Sequence, residues 1–216
     1  MALVLVTPPS IEPVSLDDMH DFLRIDANDT SNDALLTGLI IAARQWAEVF
    51  CQRRFITQTW KLLFDFFPGY IDLKLSGSKI SSPFVSGSNA VLVGIRYAIV
   101  LPYPIVQSVT NFQYLNANGT TTVMNPSTDY VTDVQSQPAR LTPPFGEMWP
   151  VARVVVNAIE VDYVCGYGSS QASVPNGIQL GIKMLAASWY ENRIPDDSDI
   201  PNAVKMVLTP YRDLRF

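Results

Sequence analysis

The sequence has few of the residues that most often carry catalytic or metal chemistry. It contains one histidine, His20, and two cysteines, Cys51 and Cys165, in 216 residues. The two cysteines lie far apart and match no metal-binding spacing, so we expect a pair of buried thiols in a reducing compartment. No nucleophile-elbow, Walker-type or dinucleotide-binding motif is present, because "CGYGSS" at 165–170 lacks both the spacing and the basic residue of a phosphate loop. These absences exclude the motif-defined hydrolases and nucleotide-binding enzymes.

Charged residues are also scarce, at 16% of the chain, and the formal net charge is −5. Binding to duplex DNA requires clustered Lys and Arg that release counterions, so this composition argues against a nucleic-acid-binding domain. Seven acids and one arginine lie in residues 1–33, which confines the acidity to the N-terminal arm. With 48% hydrophobic residues and so little charge, we expect some apolar surface to contact another chain.

Long hydrophobic runs are missing as well. No stretch approaches the roughly 20 apolar residues that span a bilayer. The apolar start "MALVLVTPP" lacks the basic segment and the cleavage site of a signal peptide. We therefore expect neither a membrane span nor a secretion signal.

The spacing of apolar residues predicts four helices, near 16–25, 32–53, 175–194 and 201–208. Ser15 and Asp18 have the spacing of a capping box at the start of the first helix, and Asn32 stands where the second helix needs an N-cap. The second helix carries one apolar stripe, with Arg44 and Glu48 on its other face.

Between the second and third helices the hydrophobic period changes to two, which predicts strands. Asn118-Gly119 indicates a hairpin turn, and Gly166 and Gly168 end the last strand. Runs expected to contain strands lie at 59–66, 70–75, 91–101, 105–115, 129–134, 139–141 and 152–165, and long loops at 76–89 and 135–150.

The predicted fold class is therefore α+β, a small helical bundle with an antiparallel β domain inserted between helices two and three. The expected domains are the N-terminal half of the helical core at 1–57, the β insertion at 58–168, and the C-terminal half with a tail at 169–216.

Isolated polar residues leave one enzymatic alternative open. His20 is flanked by acids on the first helix and is expected to be solvated. Scattered carboxylates could pair as general acid and base, so an acid-dependent hydrolase is the alternative function. These carboxylates are Asp129, Asp133, Glu147, Glu160 and Asp162. No cofactor or metal is predicted.

Two short basic stretches lie beside aromatic residues that could stack on bases. The first is Arg53-Arg54 with Phe55, and the second is the C-terminal region with Lys205, Arg212 and Arg215 beside Tyr211 and Phe216. Two or three cations per stretch are few for tight binding. A helix-terminal charge or a protein-docking tail is the favoured interpretation.

Several ordered blocks resemble a known family. They are "PVSLDDMHDFLRID", "DALLTGLIIAARQWAEVFCQRRFITQTWKLLFDFFP", "LPYPIVQSVTNFQYLNANGTTTVM", "ARLTPPFGEMWP", "VDYVCGYG" and "VPNGIQLGIKMLAASWYENR". From about residue 13 to 208 they resemble tailed-phage and prophage head-tail connector proteins, which are adaptor or head completion proteins of the gp6-like superfamily, in its gp8-type branch.

The resemblance implies a structural virion protein without enzyme activity. Such adaptors are made in the bacterial host cytoplasm and form rings, usually of twelve subunits, at the head-tail junction. The ring docks under the portal protein and receives the stopper or tail-completion protein. Packaged DNA is retained by the assembly and passes through the lumen without sequence-specific binding.

Two groups of residues are expected to make protein contacts. The tail residues are expected to dock on the portal, since they combine apolar and cationic side chains. They are Tyr211, Arg212, Leu214, Arg215 and Phe216. Tyr190, Glu191 and Arg193 lie off the apolar stripe of the third helix and are expected to contact another subunit or the bundle.

Overall fold

A computed structural model describes residues 1–26, 28–68, 97–192 and 200–213 of the chain. The strand predicted at 70–75 and the loop predicted at 76–89 lie outside these residues. Contacts between Cα atoms divide the chain into two compact units. The helical unit comprises Thr7–Gln58, Tyr103–Ile105 and Cys165–Phe216, and the sheet unit comprises Met1–Val6, Thr59–Pro102 and Val106–Val164.

The helical unit contains four α-helices among its described residues. They are α1 at Leu16–Leu23, α2 at Asp33–Cys51, α3 at Asn176–Glu191 and α4 at Asn202–Leu208. Short 3-10 turns at Gln171–Ser173 and Thr209–Tyr211 precede α3 and follow α4. All four predicted helices are present, with ends within three residues of the predicted ones.

The ends of α1 follow from local chemistry. Ser15 Oγ accepts a hydrogen bond from the Asp18 main-chain N–H at 3.0 Å, while the Asp18 carboxylate accepts from Ser15, so the predicted capping box is confirmed. Arg24 ends α1 in the left-handed conformation, one residue before the predicted end. Asn32 stands at the N-cap position of α2, but its side chain makes no capping bond there.

The apolar stripes of α2 and α3 pack against each other and form the core of the helical unit. Its fully buried members are Val14, Met19, Leu36, Ile40, Ala43, Ala47, Cys51, Phe55, Ile56, Val174, Ile178, Ile182, Leu185, Ala186, Val204 and Leu208. Of the described helices, α2 is the one long and apolar enough to cross a membrane. Because its stripe is the core surface of a helix bundle, its apolar composition has a packing explanation.

Gly181 allows α3 and α4 to approach each other closely. A Cβ atom at this position would lie 2.8 Å from Leu208 Cδ2 and 2.9 Å from Leu208 Cγ. Leu208 is fully buried, so it has little room to move away. The crossing of these two helices therefore requires a residue without a side chain.

Among its described residues, the sheet unit has eight strands, which lie in two sheets. The five-stranded sheet has the order β1-β2-β8-β4-β5, and the three-stranded sheet has the order β3-β7-β6. The strands are β1 Ala2–Thr7, β2 Gln58–Phe64, β3 Ile99–Val100, β4 Val106–Leu115, β5 Thr121–Val123, β6 Val131–Asp133, β7 Arg140–Thr142 and β8 Ile159–Cys165.

The hairpin predicted at Asn118-Gly119 is confirmed. Strands β4 and β5 pair antiparallel, with Leu115 opposite Thr121. Gly119 has a φ of +85°, and Asn116 Oδ1 accepts hydrogen bonds from the main chain of Asn118 and Thr120. A left-handed glycine and an Asx turn together close the loop.

Strand β8 is shorter than predicted. Its alternation is confirmed, because Ile159, Val161 and Tyr163 are fully buried, but the strand begins at Ile159 rather than near residue 152. Val154, Val155 and Val156 are exposed and precede it as irregular chain. Their β-branched side chains favour a strand, whereas the main chain here makes other bonds, including one from Arg153 N to Leu115 O.

Aromatic side chains form the centre of the sheet unit. Phe67 stacks on Trp149 at 5.1 Å between ring centroids, and Phe112 meets Tyr130 edge-on at 5.0 Å. Phe67, Phe112, Tyr130 and Trp149 are all buried. With helices in one unit and antiparallel strands in the other, the predicted α+β class is confirmed.

Substituting Gly181 and substituting Gly38 should have opposite effects. Gly181→Ala should lower the free energy of unfolding, because overpacking against Leu208 costs about 1–3 kcal/mol and exceeds the gain in helix propensity of about 1 kcal/mol. Gly38→Ala in α2 should raise it by up to about 1 kcal/mol, since nothing lies within 4 Å of its added Cβ atom. Urea unfolding of both variants measures the difference, and a Gly181→Ala protein as stable as the native chain would contradict the close approach.

Candidate functional site

A buried ion network surrounds Glu48 at the end of α2. Glu48 is 3% exposed, and its Oε2 accepts from Arg44 Nη1 at 3.0 Å and from Arg54 Nη1 at 3.3 Å. Its Oε1 accepts from the Phe55 main-chain N–H and from Gln58 Nε2, both at 2.9 Å. Every accepting position of the carboxylate is therefore used by a partner within the helical unit.

The network extends to the segment before α1. Arg44 Nε donates to Glu12 Oε2 at 2.6 Å, so Arg44 lies between two carboxylates. Burial raises the pKa of Glu48, opposed by the Phe55 hydrogen bond and by the charges of Arg44 and Arg54. The face of α2 that carries Arg44 and Glu48 is thus covered, whereas the sequence pattern shows only that it is polar.

The basic stretch at Arg53-Arg54 is not arranged to bind bases. The Arg54 guanidinium lies 3.8 Å from the centroid of the Tyr103 ring and also donates to Glu48. Phe55 is fully buried in the helical core. This arrangement stabilises the chain leaving α2 by ionic and cation–π contacts, and it leaves no exposed aromatic for stacking at this stretch.

His20 is buried, and the expectation that it is solvated is wrong. Its Nε2 lies 2.9 Å from Asp33 Oδ1, and the side chain is 5% exposed. Asp33 is the first residue of α2, so the pair joins α1 to the start of α2. The acidic neighbours of His20 in sequence did not reveal this partner, which is 13 residues away.

The carboxylates of the hydrolase alternative lie in several ion pairs and turns, and two of them share a lysine. Glu160 pairs with Lys61, which also lies 3.9 Å from Asp162. The Ser136 hydroxyl, followed by the Ser136 N–H and Arg140, lowers the pKa of Asp133 to about 2. Asp129 caps the main-chain N–H of Asn125 at 2.7 Å, and Glu147 is exposed.

Asp133 is poorly suited to acid catalysis. A carboxylate with a pKa of about 2 remains ionised at neutral pH and cannot donate a proton there. Over the described residues, no three His, Cys, Asp or Glu side chains are grouped so as to hold a metal ion. Cys51 and Cys165 are buried, and burial raises the pKa of each thiol to about 12, which makes both thiols unreactive.

The C-terminal segment is bound to the helical unit as far as Asp213. A Cβ atom on Gly177 would lie 2.6 Å from Tyr211 Oη, so the Tyr211 ring lies directly on α3. The Arg212 guanidinium lies 5.2 Å from the Phe50 ring centroid, and Asp213 N donates to Cys51 O at 2.9 Å. Leu214, Arg215 and Phe216, the other predicted portal contacts, lie outside the described residues.

The end of α3 presents a mixed surface. Tyr190 is half-buried against the helical core, and Glu191, the last residue of the helix, is exposed. Arg193 lies outside the described residues. Tyr190 therefore contacts its own bundle, and the Glu191 carboxylate is open to solvent.

Comparison with known proteins identifies what this arrangement resembles. Residues 13–99 match the family model described as phage gp6-like head-tail connector protein. This is a structural family of virion connectors and not a family of enzymes. No curated protein sequence matches the chain.

Three solved structures share the fold over the complete chain. The first two are the neck of an empty GTA particle computed with C6 symmetry and the virion of a native gene transfer agent particle, each with a TM-score of 0.72. The third, with a TM-score of 0.68, is the neck of a native GTA particle computed with C12 symmetry. Each match has 20% sequence identity and covers 100% of this chain and 97% of the other.

Removing the Glu48 carboxylate should destabilise the protein strongly. Glu48→Ala should lower the free energy of unfolding by about 3–5 kcal/mol, because Arg44 and Arg54 would remain buried beside a lost partner. Glu191→Ala, which removes an exposed carboxylate, should change it by less than about 0.5 kcal/mol. Denaturant unfolding compares the two variants, and equal effects would refute the importance of the network.

The match at residues 13–99 confirms the resemblance predicted from the sequence: the chain carries the phage gp6-like head-tail connector signature, and its whole length has the fold of chains in GTA particles.

Proposed function

We propose that this protein is a subunit of a head-tail adaptor ring in a phage-like particle. The ring docks under the portal protein, links it to the stopper or tail, and helps to retain packaged DNA. One observation carries the proposal: residues 13–99, which include α1 and α2, match the connector family, and the fold of the complete chain matches chains from a particle that has a neck. The protein is made in the bacterial host cytoplasm and acts in the virion at the head-tail junction.

The rotational symmetry of the matching particle necks supports a ring of identical subunits. One neck was computed with C12 symmetry, in agreement with the twelve subunits expected from the family resemblance. Within this chain, apolar side chains that remain exposed supply surface for contact with neighbours. Among them are Val123, Phe145, Met148, Val151, Val154, Val156 and Met206.

The charges of the chain suit a channel through which DNA slides. Several described cations are bound by carboxylates and are not available as a phosphate-binding patch. They are Arg44, Arg54, Lys61, Arg140 and Lys183. With a net charge of −5, a ring of such subunits would let DNA pass without sequence-specific binding.

The exposed end of α3 is a candidate for subunit contact. Glu191 has an open carboxylate at the end of the helix, and Tyr190 fixes that end to the core. We assign Glu191, with Arg193 beyond it, to the contact with a neighbouring subunit, and Tyr190 to positioning that surface.

Assembly in the presence of the portal protein tests the proposed function. Native mass spectrometry should detect a ring of this chain bound to the portal ring, and electron microscopy of the complex should show it below the portal. The free chain can be monomeric, since the portal ring is the surface on which the subunits assemble. A chain that stays monomeric both alone and with the portal protein would overturn the proposal, and hydrolytic activity in that monomer would favour the enzyme alternative.

The tail is proposed to carry the docking contact, and a short deletion separates docking from folding. Deleting residues 214–216 should abolish binding to the portal while leaving the melting temperature unchanged, because Tyr211 and Asp213 keep their contacts with α3 and α2. Deleting residues 210–216 should also lower the melting temperature, since it removes those contacts. Co-sedimentation with the portal and thermal unfolding measure the two effects; undiminished docking after the short deletion would assign the contact elsewhere.

A further inference from the structure

The five-stranded sheet ends in β1 on one side and in β5 on the other. In the part of the chain that the structure describes, each of these strands has a single sheet neighbour. Its outer side therefore presents main-chain N–H and C=O groups that can pair with another strand. Native proteins usually protect such edges with lysine, proline or a very short strand, and β1, six residues of "ALVLVT", has none of these protections.

The side chains of β1 are apolar on both faces and exposed on both. Successive residues of a strand point to opposite sides, so Val4 and Val6 share one face and Leu5 lies on the other. These three side chains are 45%, 50% and 42% exposed, respectively. Burial within the described chain does not account for an apolar strand here, whereas burial against a partner would.

The opposite edge of the sheet has a complementary surface. A groove of about 340 Å³ runs beside β5, and its lining is mixed: Val123, Met124 and Met148 are apolar, whereas Thr122, Asp129 and Glu147 are polar. Val123 is 59% exposed and Met148 is 63% exposed. The β5 edge thus combines free main-chain groups with a groove whose apolar part can receive the side chains of an added strand.

We propose that β1 of one subunit adds as a strand to the outer edge of β5 in a neighbouring copy of this chain. The inference rests on the proposed function, a ring of identical subunits. A second copy is the fitting occupant because one chain carries both halves of the contact, on opposite edges of one sheet. Two different surfaces make a heterologous contact, which closes into a ring when repeated about a rotation axis. Pairing of β1 with β1 would instead give two-fold dimers.

The small size of the contact agrees with a ring that forms only when the subunits dock on the portal. Strand β5 has three residues, and burying the exposed apolar side chains of the two surfaces removes on the order of 200 Å² per partner, about a quarter of a standard interface. A pair of free subunits would therefore dissociate at ordinary concentrations. In a ring, each subunit makes the contact twice, and the portal holds the subunits side by side.

Disulfide crosslinking tests this contact directly. Val4→Cys and Val123→Cys proteins are mixed, assembled with the portal protein and oxidised. Cys51 and Cys165 are buried, and their thiol pKa values are raised to about 12. We therefore expect only the introduced thiols to form disulfides. The mixture should give a crosslinked dimer. The Val4→Cys, Val123→Cys double variant should give a ladder of crosslinked oligomers up to the full ring. In that variant an internal disulfide is excluded, since β1 and β5 are separated by four strand spacings, about 19 Å.

Controls distinguish this contact from other ways of assembling. Val4→Cys alone and Val131→Cys, an exposed valine in the other sheet, should give no crosslink. A dimer from Val4→Cys alone would show two-fold pairing of β1 and overturn the inference. A ring detected by native mass spectrometry without the Val4–Val123 crosslink would also overturn it while leaving the adaptor function intact. Failure to form any ring with the portal would overturn both the strand contact and the proposed adaptor function.

A surface charge provides an independent check. Val4→Lys should abolish ring formation on the portal, because a lysine on the edge strand blocks strand addition. Val131→Lys should leave the ring intact. Circular dichroism and thermal unfolding of both free proteins verify that the sheet is folded, and a normal ring of Val4→Lys subunits would contradict the proposal.

Discussion

A buried carboxylate is tolerated only when all of its accepting positions are filled, and Glu48 imposes this requirement on the helical unit. Its four donors come from Arg44 within α2 and from Arg54, Phe55 and Gln58 in the chain that follows α2. An unpaired charge at this depth would cost several kcal/mol. The chain that follows α2 must therefore keep the conformation that brings its three donors to Glu48. Arg44 extends the same constraint to Glu12 and so to the approach to α1.

The core of the helical unit lies on the apolar face of α2. There the stripe that includes Leu36, Ile40 and Ala43 meets α3, and Gly181 allows α4 to approach α3. The segment after α4 closes this arrangement, since Tyr211 lies on Gly177 and Asp213 N binds the carbonyl at the end of α2. The C-terminal segment is therefore a part of the bundle as far as residue 213, and a docking tail can begin beyond it.

The sheet unit combines a dense aromatic centre with exposed apolar edges. Phe112 and Trp149 are buried among other rings, whereas Val4 and Val123 at the two edges are about half exposed or more. The described carboxylates of this unit take part in turns and ion pairs, and two of them, Asp129 and Glu147, line the groove beside β5. The proposed assembly of subunits into a ring depends on these exposed apolar edges.

The sequence by itself determined the helices, the α+β class, the hairpin at Gly119 and the connector resemblance, because helical and strand periods, capping boxes and Asn-Gly turns depend on residues close together in the chain. Only the tertiary structure decided that His20 is paired with Asp33 and that Arg44 and Glu48 are buried, since a helical wheel shows which residues share a face but not what covers it. It also decided that Val154–Val156 stay outside β8 and that β1 joins β2, because strand pairing brings together segments more than 50 residues apart. Such contacts depend on long-range geometry and competition between partners, which local sequence patterns do not encode.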